Sequence, residues 1–434
     1  MPNRNRVCVV VLGDIGRSPR MQYHVSSLLK VGYVVDVLGF SGSKPLSELC
    51  TNESVKFHFI WEVSRLRKFL PSSLSYILKA SLQAVFLVLP LIFIKRPSAI
   101  FVQNPPSIPT LLVGYIVSRI RNCNFVIDWH NYGYSILALN VQKESLLVRI
   151  ARRYERTFGR LSDHNLCVTK SMKEDLKANW NIEAVTHYDR PPLRFAPTSL
   201  EQRHKLFCKL SSKYEVFKSS FDAGDSDLQS AFTLKNKDGK LELREDRPAL
   251  VVSSTSWTDD EDFNILIEAF DKYEKNFSSS KNLPKLVCAI TGKGPMKEYY
   301  LGVLSSKEWK HVQVCTPWLE NDDYPLLLGS ADLGICLHTS SSGLDLPMKV
   351  VDMFGCGLPV CAVHFKCLHE LVQHNRNGMV FHDASELHQQ ICQLLTGFPR
   401  SSSKLENLRE NVKEFSKLRW DECWQKDVKP IFTQ

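Results

Sequence analysis

The sequence predicts a two-domain α/β protein, each domain a doubly wound, Rossmann-like parallel sheet and the two facing across a cleft. Three observations carry this. Short apolar runs alternate with amphipathic helical stretches in both halves of the chain. A charged, small-residue stretch from about 200 to 247 separates the halves. The length, 434 residues, exceeds what one hydrophobic core supports.

In order, Val7–Leu12 forms the first strand and Gly13-Asp-Ile-Gly-Arg-Ser-Pro-Arg20 the turn before a helix from about Met21 to Val31. Strands follow at Val34–Gly39, Ala99–Gln103, Asn124–Asp128 and Asn165–Thr169, then a helix at Ser171–Asn179 and an edge strand at Ile182–Tyr188. These make a first domain of residues 1–199. Residues 200–247 read as a linker or mobile insertion. The second domain, 248–404, runs through strand Ala249–Ser253, helix Phe263–Tyr273 and strands Lys285–Thr291, His311–Cys315, Ala331–Leu337 and Leu358–Val363. Leu405–Gln434 is a polar helical tail expected to pack back on the first domain. Leu74–Ile94 is the most lipid-like segment. Lys79, Gln83 and Pro90 interrupt it and Lys95-Arg96 follow, which predicts a buried or membrane-resting helix rather than a span. The first strand starts so early that no signal peptide or N-terminal anchor is expected ahead of it.

The stretch His338–Ala362 reads as strand end, polar loop, helix, tight turn, strand, an arrangement suited to a nucleotide. Gly343 lets a ligand approach the backbone, and Pro347 pre-sets a first helical turn whose amides attract a diphosphate. Lys349 and Asp352, three residues apart on one face, set a cation for phosphate beside a carboxylate for ribose hydroxyls. Gly292-Lys293-Gly294 lets a phosphate meet backbone and ammonium together. Ser253–Ser256 offers hydroxyls at a strand end, and the acidic run Asp259–Asp262 reads as a cap for the next helix.

In the first domain the turn 13–20 presents backbone amides with Arg17 and Arg20 to an anion. Its spacing is not GxGxxG and no acidic residue ends the second strand in the dinucleotide manner, which argues against a dehydrogenase. Asp128–Tyr134 ends a strand at the edge where such sheets bind ligands, placing His130 in a catalytic or substrate-contact role. Gln103-Asn-Pro-Pro-Ser107 reads as a stiffened loop.

The net charge of +9, from 55 Lys+Arg against 46 Asp+Glu, suits an acidic ligand or an anionic membrane surface. No aromatic-basic module accompanies it, so nucleic acid is not an expected partner. Thirteen scattered cysteines without a CxxC pair fit a reducing compartment, and no His/Cys/Asp cluster has metal-ligand spacing.

Taken in order, Val11-Leu-Gly-Asp-Ile-Gly-Arg-Ser-Pro-Arg-Met-Gln-Tyr23, Ile127-Asp-Trp-His-Asn-Tyr-Gly-Tyr-Ser135, Ser253-Ser-Thr-Ser-Trp-Thr258, Ile290-Thr-Gly-Lys-Gly-Pro295 and Ser341-Ser-Gly-Leu-Asp-Leu-Pro-Met-Lys-Val-Val-Asp352 resemble the chitobiosyldiphosphodolichol β-mannosyltransferases, over about Val7–Trp424. The resemblance implies the two-domain GT-B glycosyltransferase fold. It implies inverting transfer of mannose from GDP-mannose to GlcNAc2-diphosphodolichol, in β1,4 linkage, on the cytosolic face of the endoplasmic reticulum membrane. Other dolichol-pathway mannosyltransferases are the further partners it suggests. On this reading Asp352, Lys349, Lys293, Asp345, Gly343, Ser256 and Glu370 surround the donor. Arg17 and Arg20 hold the acceptor diphosphate, and His130 or Asp14 is the base. No cofactor is expected and no divalent metal is essential, since lysines and a helix dipole do the charge work.

The chain departs from its relatives in three places. Retaining enzymes of this fold use Glu-x7-Glu where Asp345 and Asp352 are spaced Asp-x6-Asp. Those enzymes carry an Arg and a Lys where this chain has Ser254–Thr258, leaving Lys293 and Lys349 as substitutes. No N-terminal membrane helix of the kind common in the family is expected before Val7, and membrane attachment is then expected from Leu74–Ile94, Ile108–Ile120 or partner proteins. Two rivals are another lipid-linked sugar transferase and a catalytically silent GT-B scaffold subunit; retention of both acids, both lysines and His130 argues against silence.

Overall fold

The computed structural model describes residues 6–63, 72–141, 144–219, 229–236, 238–258, 260–279, 282–400 and 402–433. The chain divides into two units, Met1–Asp189 with Trp420–Gln434, and Arg190–Arg419.

Among the described residues the first unit holds seven strands: β1 (Arg6–Asp14), β2 (Val34–Phe40), β3 (Val55–Phe59), β4 (Ala99–Asn104), β5 (Asn124–Trp129), β6 (His164–Cys167) and β7 (Val185–Thr186). They lie in the order β3-β2-β1-β4-β5-β6-β7, every pairing parallel. Central side chains such as Val7, Val9, Phe101 and Val126 are fully buried, because helices cover both faces of a parallel sheet. The strand order reverses between β1 and β4. Ligands of such sheets bind at the carboxyl ends of the strands flanking that reversal, where Asp14 and Asn104 sit, with His130 one strand further along.

The second unit repeats the plan with β10 (Ala249–Ser254), β11 (Leu286–Thr291), β12 (Val312–Cys315), β13 (Leu333–Cys336), β14 (Val360–Val363) and β15 (Gly378–Phe381), in the order β12-β11-β10-β13-β14-β15. Its reversal falls between β10 and β13. A small antiparallel hairpin, β8 (Thr233–Lys235) with β9 (Leu241–Leu243), stands apart.

The boundaries differ from those the composition suggests. Residues 190–199 and most of the supposed linker belong to the second unit. Ser199 and Gln202 form a capping box that starts the helix Leu200–Ser211, and Leu206, Phe207, Leu210, Phe217 and Phe232 are buried in one core with Leu250 and Val252. Apolar residues spaced at helical intervals outweigh the charged background there; Ser220–Leu228 lie outside the described residues. The tail also splits. Ser403–Ser416 is a helix of the second unit through Leu405, Leu408 and Val412, and only Trp420 onward belongs to the first.

Leu74–Ile94 corresponds to a helix, Ser72–Phe93, and among the described residues no helix is long and apolar enough to cross a membrane. Val85, Leu89 and Phe93 on this helix are exposed, as are Ile116 and Ile120 on the helix Thr110–Arg121. Among the described residues no disulfide joins any of the thirteen cysteines.

Candidate active site

After β10 the second unit's chain bends sharply. Trp257 has φ +50° and is buried against Phe263, with ring centroids 4.5 Å apart. The bend rests on the loop after β11. Gly292 and Gly294 pack so closely on the carbonyl oxygens of Thr255 and Ser256 that neither position admits a Cβ. This presents the exposed Lys293, whose ammonium lies 3.8 Å from the ring centre of Trp318. Ser256 is exposed, and its N–H donates to Glu261 Oε2 at 2.8 Å.

Glu261 is 2% exposed, accepts a second hydrogen bond from Thr255 Oγ1 and pairs with Lys349. The acidic run is therefore more than a cap. Asp262 does cap the helix Phe263–Phe277 by accepting from Asn264 N–H at 3.0 Å, but Asp260 and Glu261 engage His338 and Lys349; Asp259 lies outside the described residues. Spacing puts Lys349 beside Asp352; the structure sends the half-buried ammonium to Glu261 instead, since that buried carboxylate needs a close, fixed counter-charge. Burial pulls Lys349 down to about 8, with the Asp260 carboxylate opposing. Asp352 is half-buried one turn further along the helix Met348–Gly355. That helix opens after Pro347, which is its N-cap residue rather than its first turn, and no side chain caps it.

His338 follows β13. Its Nδ1 lies 3.0 Å from Asp260 Oδ2 and its Nε2 3.6 Å from Asp345 Oδ2. Burial disfavours the charged ring, but the two carboxylates prevail and raise it to about 9, so it is an imidazolium at neutral pH. Asp260 is held well below the usual carboxylate range, chiefly by the His338 hydrogen bond. Ser340 Oγ donates to Asp345 and accepts from the N–H groups of Gly343 (2.9 Å) and Leu344 (3.2 Å), and Gly343 sits at φ +73°. Glu370 ends the short turn Leu368–Glu370; the Cys367 thiol, pushed up to about 12 by burial with Glu370 and Asp345 adding, contacts the Asp345 carbonyl at 3.4 Å.

In the first unit Asp14 accepts from Gly16 N–H (3.0 Å) and Ser43 N–H (2.8 Å), with Arg17 Nε 3.6 Å away. Arg17 is exposed. Arg20 is not the surface anion-binder its turn suggests: it is 1% exposed, donates to both Asp128 oxygens at 2.8 and 3.0 Å and to Asp189 at 2.8 Å. Its Nη1 also donates to the His187 carbonyl at 3.0 Å, so four of its five N–H groups are committed inside the fold. His130, with its side chain 21% exposed, has Nε2 2.8 Å from Asp128 Oδ2. The Asn104 loop does more than stiffen. Asn104 Nδ2 donates to Asn131 O and to the buried Glu155, which also accepts from Gly133 N–H (2.8 Å) and Tyr134 N–H (3.1 Å). Among the described residues no three His, Cys, Asp or Glu side chains are placed to hold a metal ion.

Residues 247–397 match the model of the glycosyl transferases group 1. The chain is 52% identical over 427 residues to chitobiosyldiphosphodolichol beta-mannosyltransferase of Homo sapiens, covering 98% of this chain and 92% of that one. The chain belongs to the chitobiosyldiphosphodolichol β-mannosyltransferase family. A relative in Arabidopsis thaliana, 43% identical and covering 100% of this chain and 98% of its own, is named UDP-glycosyltransferase TURAN. Among solved structures, Anabaena HepE in complex with UDP and glucose superposes with a TM-score of 0.64 at 15% identity over 99% of both chains, which shows the shared GT-B fold.

In this β-mannosyltransferase family member one chain of contacts joins Gly294, next to Lys293, with Ser256, Glu261 and Lys349, and another joins His338, Asp345, Ser340 and Gly343. Sequence reasoning missed Asp260, Glu261 and His338. Their signal was positional: His338 follows β13 and the acids follow β10, the two strands that flank the reversal.

Proposed function

We propose that the protein transfers mannose from GDP-mannose to chitobiosyldiphosphodolichol, forming a β1,4 bond. The observation that carries this reading is that Lys293, Lys349 and His338 all lie on the loops and the helix that follow β11 and β13 about the reversal of the second sheet, in a chain 52% identical to the human β-mannosyltransferase. Mannose is α-linked in GDP-mannose and β-linked in the product, so one in-line displacement suffices. Lys293, Lys349 and the first amides of the helix Met348–Gly355 offset the charge that develops on departing GDP, with no metal or other cofactor. Asp352 takes the ribose hydroxyls, while Asp345, Gly343, Ser256 and Glu370 serve the sugar and phosphate. Of the two candidate bases His130 is favoured: Asp14 commits its oxygens to the Gly16 and Ser43 amides, whereas His130 keeps a second ring nitrogen for the acceptor hydroxyl. Arg17 remains for the acceptor diphosphate.

A dolichol-linked acceptor places the reaction at the endoplasmic reticulum membrane, and we assign the catalytic body to its cytosolic face. The exposed Val85, Leu89 and Phe93 suit a helix lying in the interface. Other dolichol-pathway mannosyltransferases are its expected partners there. The test is a nucleotide-sugar panel with purified protein and a chitobiosyl-diphospholipid. GDP-mannose should turn over at least a hundredfold faster than any UDP-sugar; because the Arabidopsis relative is named a UDP-glycosyltransferase, a preferred UDP-sugar is the result that overturns the donor assignment.

A further inference from the structure

His130 does not stand alone. Asp128, fully buried at the end of β5, receives four hydrogen bonds: from Arg20 Nε (2.8 Å) and Nη2 (3.0 Å), from His24 Nε2 (3.2 Å) and from His130 Nε2 (2.8 Å). Three of them converge on Oδ2 and Arg20 Nη2 takes Oδ1, and this two-point guanidinium contact holds the carboxylate ionised. Asp128 is therefore an anion that only accepts, and each imidazole nitrogen facing it must carry its hydrogen. The His24 tautomer is fixed independently. Trp424 Nε1 can only donate, and it donates to His24 Nδ1 at 2.9 Å, so His24 is neutral with its proton on Nε2. Burial pulls His24 down to about 3, in agreement with this.

Around the pair stand Arg20 and His24 from the helix Pro19–Lys30, His187 and Asp189 from the end of the sheet, and Asp427 from the helix Trp420–Asp427. His187 Nδ1 lies 3.2 Å from Asp427. Arg20 is shared between Asp128 and Asp189, and His187 is itself lowered by burial. The cation opposite Asp128 is thus Arg20, which cannot be deprotonated, rather than either buried histidine.

We propose that Asp128 is a positioning residue that locks His130 in the Nε2–H tautomer, so that Nδ1 is the atom that takes the proton of the acceptor hydroxyl. The inference rests on the assignment of His130 as base. Trp424 and His24 complete the device by directing a second imidazole N–H at Oδ2, the oxygen His130 also uses, so a residue near the end of the chain helps set the state of a ring more than 290 positions earlier. During transfer the acceptor O–H bond breaks as the new C–O bond forms at the anomeric carbon. The proton goes to Nδ1, the leaving diphosphate departs with the electron pair of the old C–O bond, and the resulting imidazolium is stabilised by Asp128.

The experiment uses the full chain labelled with 15N-histidine, with His130 assigned by the signal lost in H130Q. At neutral pH the wild-type ring should show Nε2 protonated and Nδ1 unprotonated. In Asp128→Asn the side-chain amide can donate to Nε2, so the protonation pattern should reverse. Turnover with GDP-mannose and a short-chain chitobiosyl-diphospholipid should fall at least a hundredfold in both D128N and H130Q, with donor KM within threefold, and the double variant should be no slower than H130Q. A wild-type ring protonated at Nδ1 overturns the proposal even if D128N does not fold. Should D128N fail to fold because it strands Arg20, R20Q/D128N removes both halves of the buried pair and takes its place. H130Q at full speed overturns the base assignment and the proposal with it. A slow H130Q beside a fast, folded D128N overturns the positioning role alone.

Discussion

Glu155 makes the pH dependence of the first unit calculable. Its carboxyl is buried beneath the His130 loop, and burial raises it from the usual 4.5 to about 7 despite three hydrogen bonds from Asn104, Gly133 and Tyr134. Between those two values the folded state holds a proton that the unfolded chain has released. Stability from this group is therefore fully present below about pH 4.5 and is lost as pH rises through about 7. Two and a half pH units at about 1.4 kcal/mol each give a loss of about 3.5 kcal/mol. For a unit of this size that is about 7–14 °C in melting temperature. Glu155→Gln removes the titration. Its amide N–H would face the Tyr134 N–H, costing about 1–3 kcal/mol at every pH. The variant should thus melt below wild type at pH 5 and approach or pass it at pH 8, followed by near-UV circular dichroism or differential scanning calorimetry at four pH values. Melting curves that run parallel across that range would refute the argument.

Asp352→Asn should leave the melting temperature unchanged and raise the GDP-mannose KM at least tenfold, since a charge-assisted hydrogen bond is worth about 1.5–3 kcal/mol; unchanged donor affinity takes Asp352 out of the site. Lys293→Ala and Lys349→Ala should each slow turnover more than they weaken acceptor binding, as both serve the leaving group, and a defect confined to acceptor KM contradicts that role. Replacing Val85, Leu89 and Phe93 with Glu should release the protein from anionic liposomes in a flotation assay while preserving activity on a short-chain, water-soluble acceptor. Protease protection of one flank of the helix Ser72–Phe93 inside sealed vesicles would mean that it spans.

The inner strands were legible because parallel strands covered on both faces read as unbroken apolar runs, as in Val7–Leu12 and Ala249–Ser253. Edge strands lack that mark: Val55–Phe59 interleaves Lys56 and His58, and Gly378–Phe381 is only four residues long. Long cations were the hardest to place. Arg20 and Lys349 look like surface residues in one dimension, and nothing nearby announces the buried carboxylates that claim them, Asp128 at a separation of 108 residues and Glu261 at 88. The Phe207, Phe217 and Phe232 core was hidden in the same way, each ring isolated among charges until the fold brings them together.

The return of Trp420–Phe432 to the first unit has a consequence for how the protein is made. Trp420 packs on Tyr23 and His24, Trp424 donates to His24, and Phe432 meets Phe101 and accepts a hydrogen bond from Tyr33 through its carbonyl. These late-synthesised residues close a core whose other walls were finished hundreds of residues before. On the ribosome the first unit must wait, with its buried histidines and Arg20 uncovered, until the second has been built and the last helices emerge. A premature stop just after Ser416 would therefore do its damage far upstream, in the half of the molecule translated first.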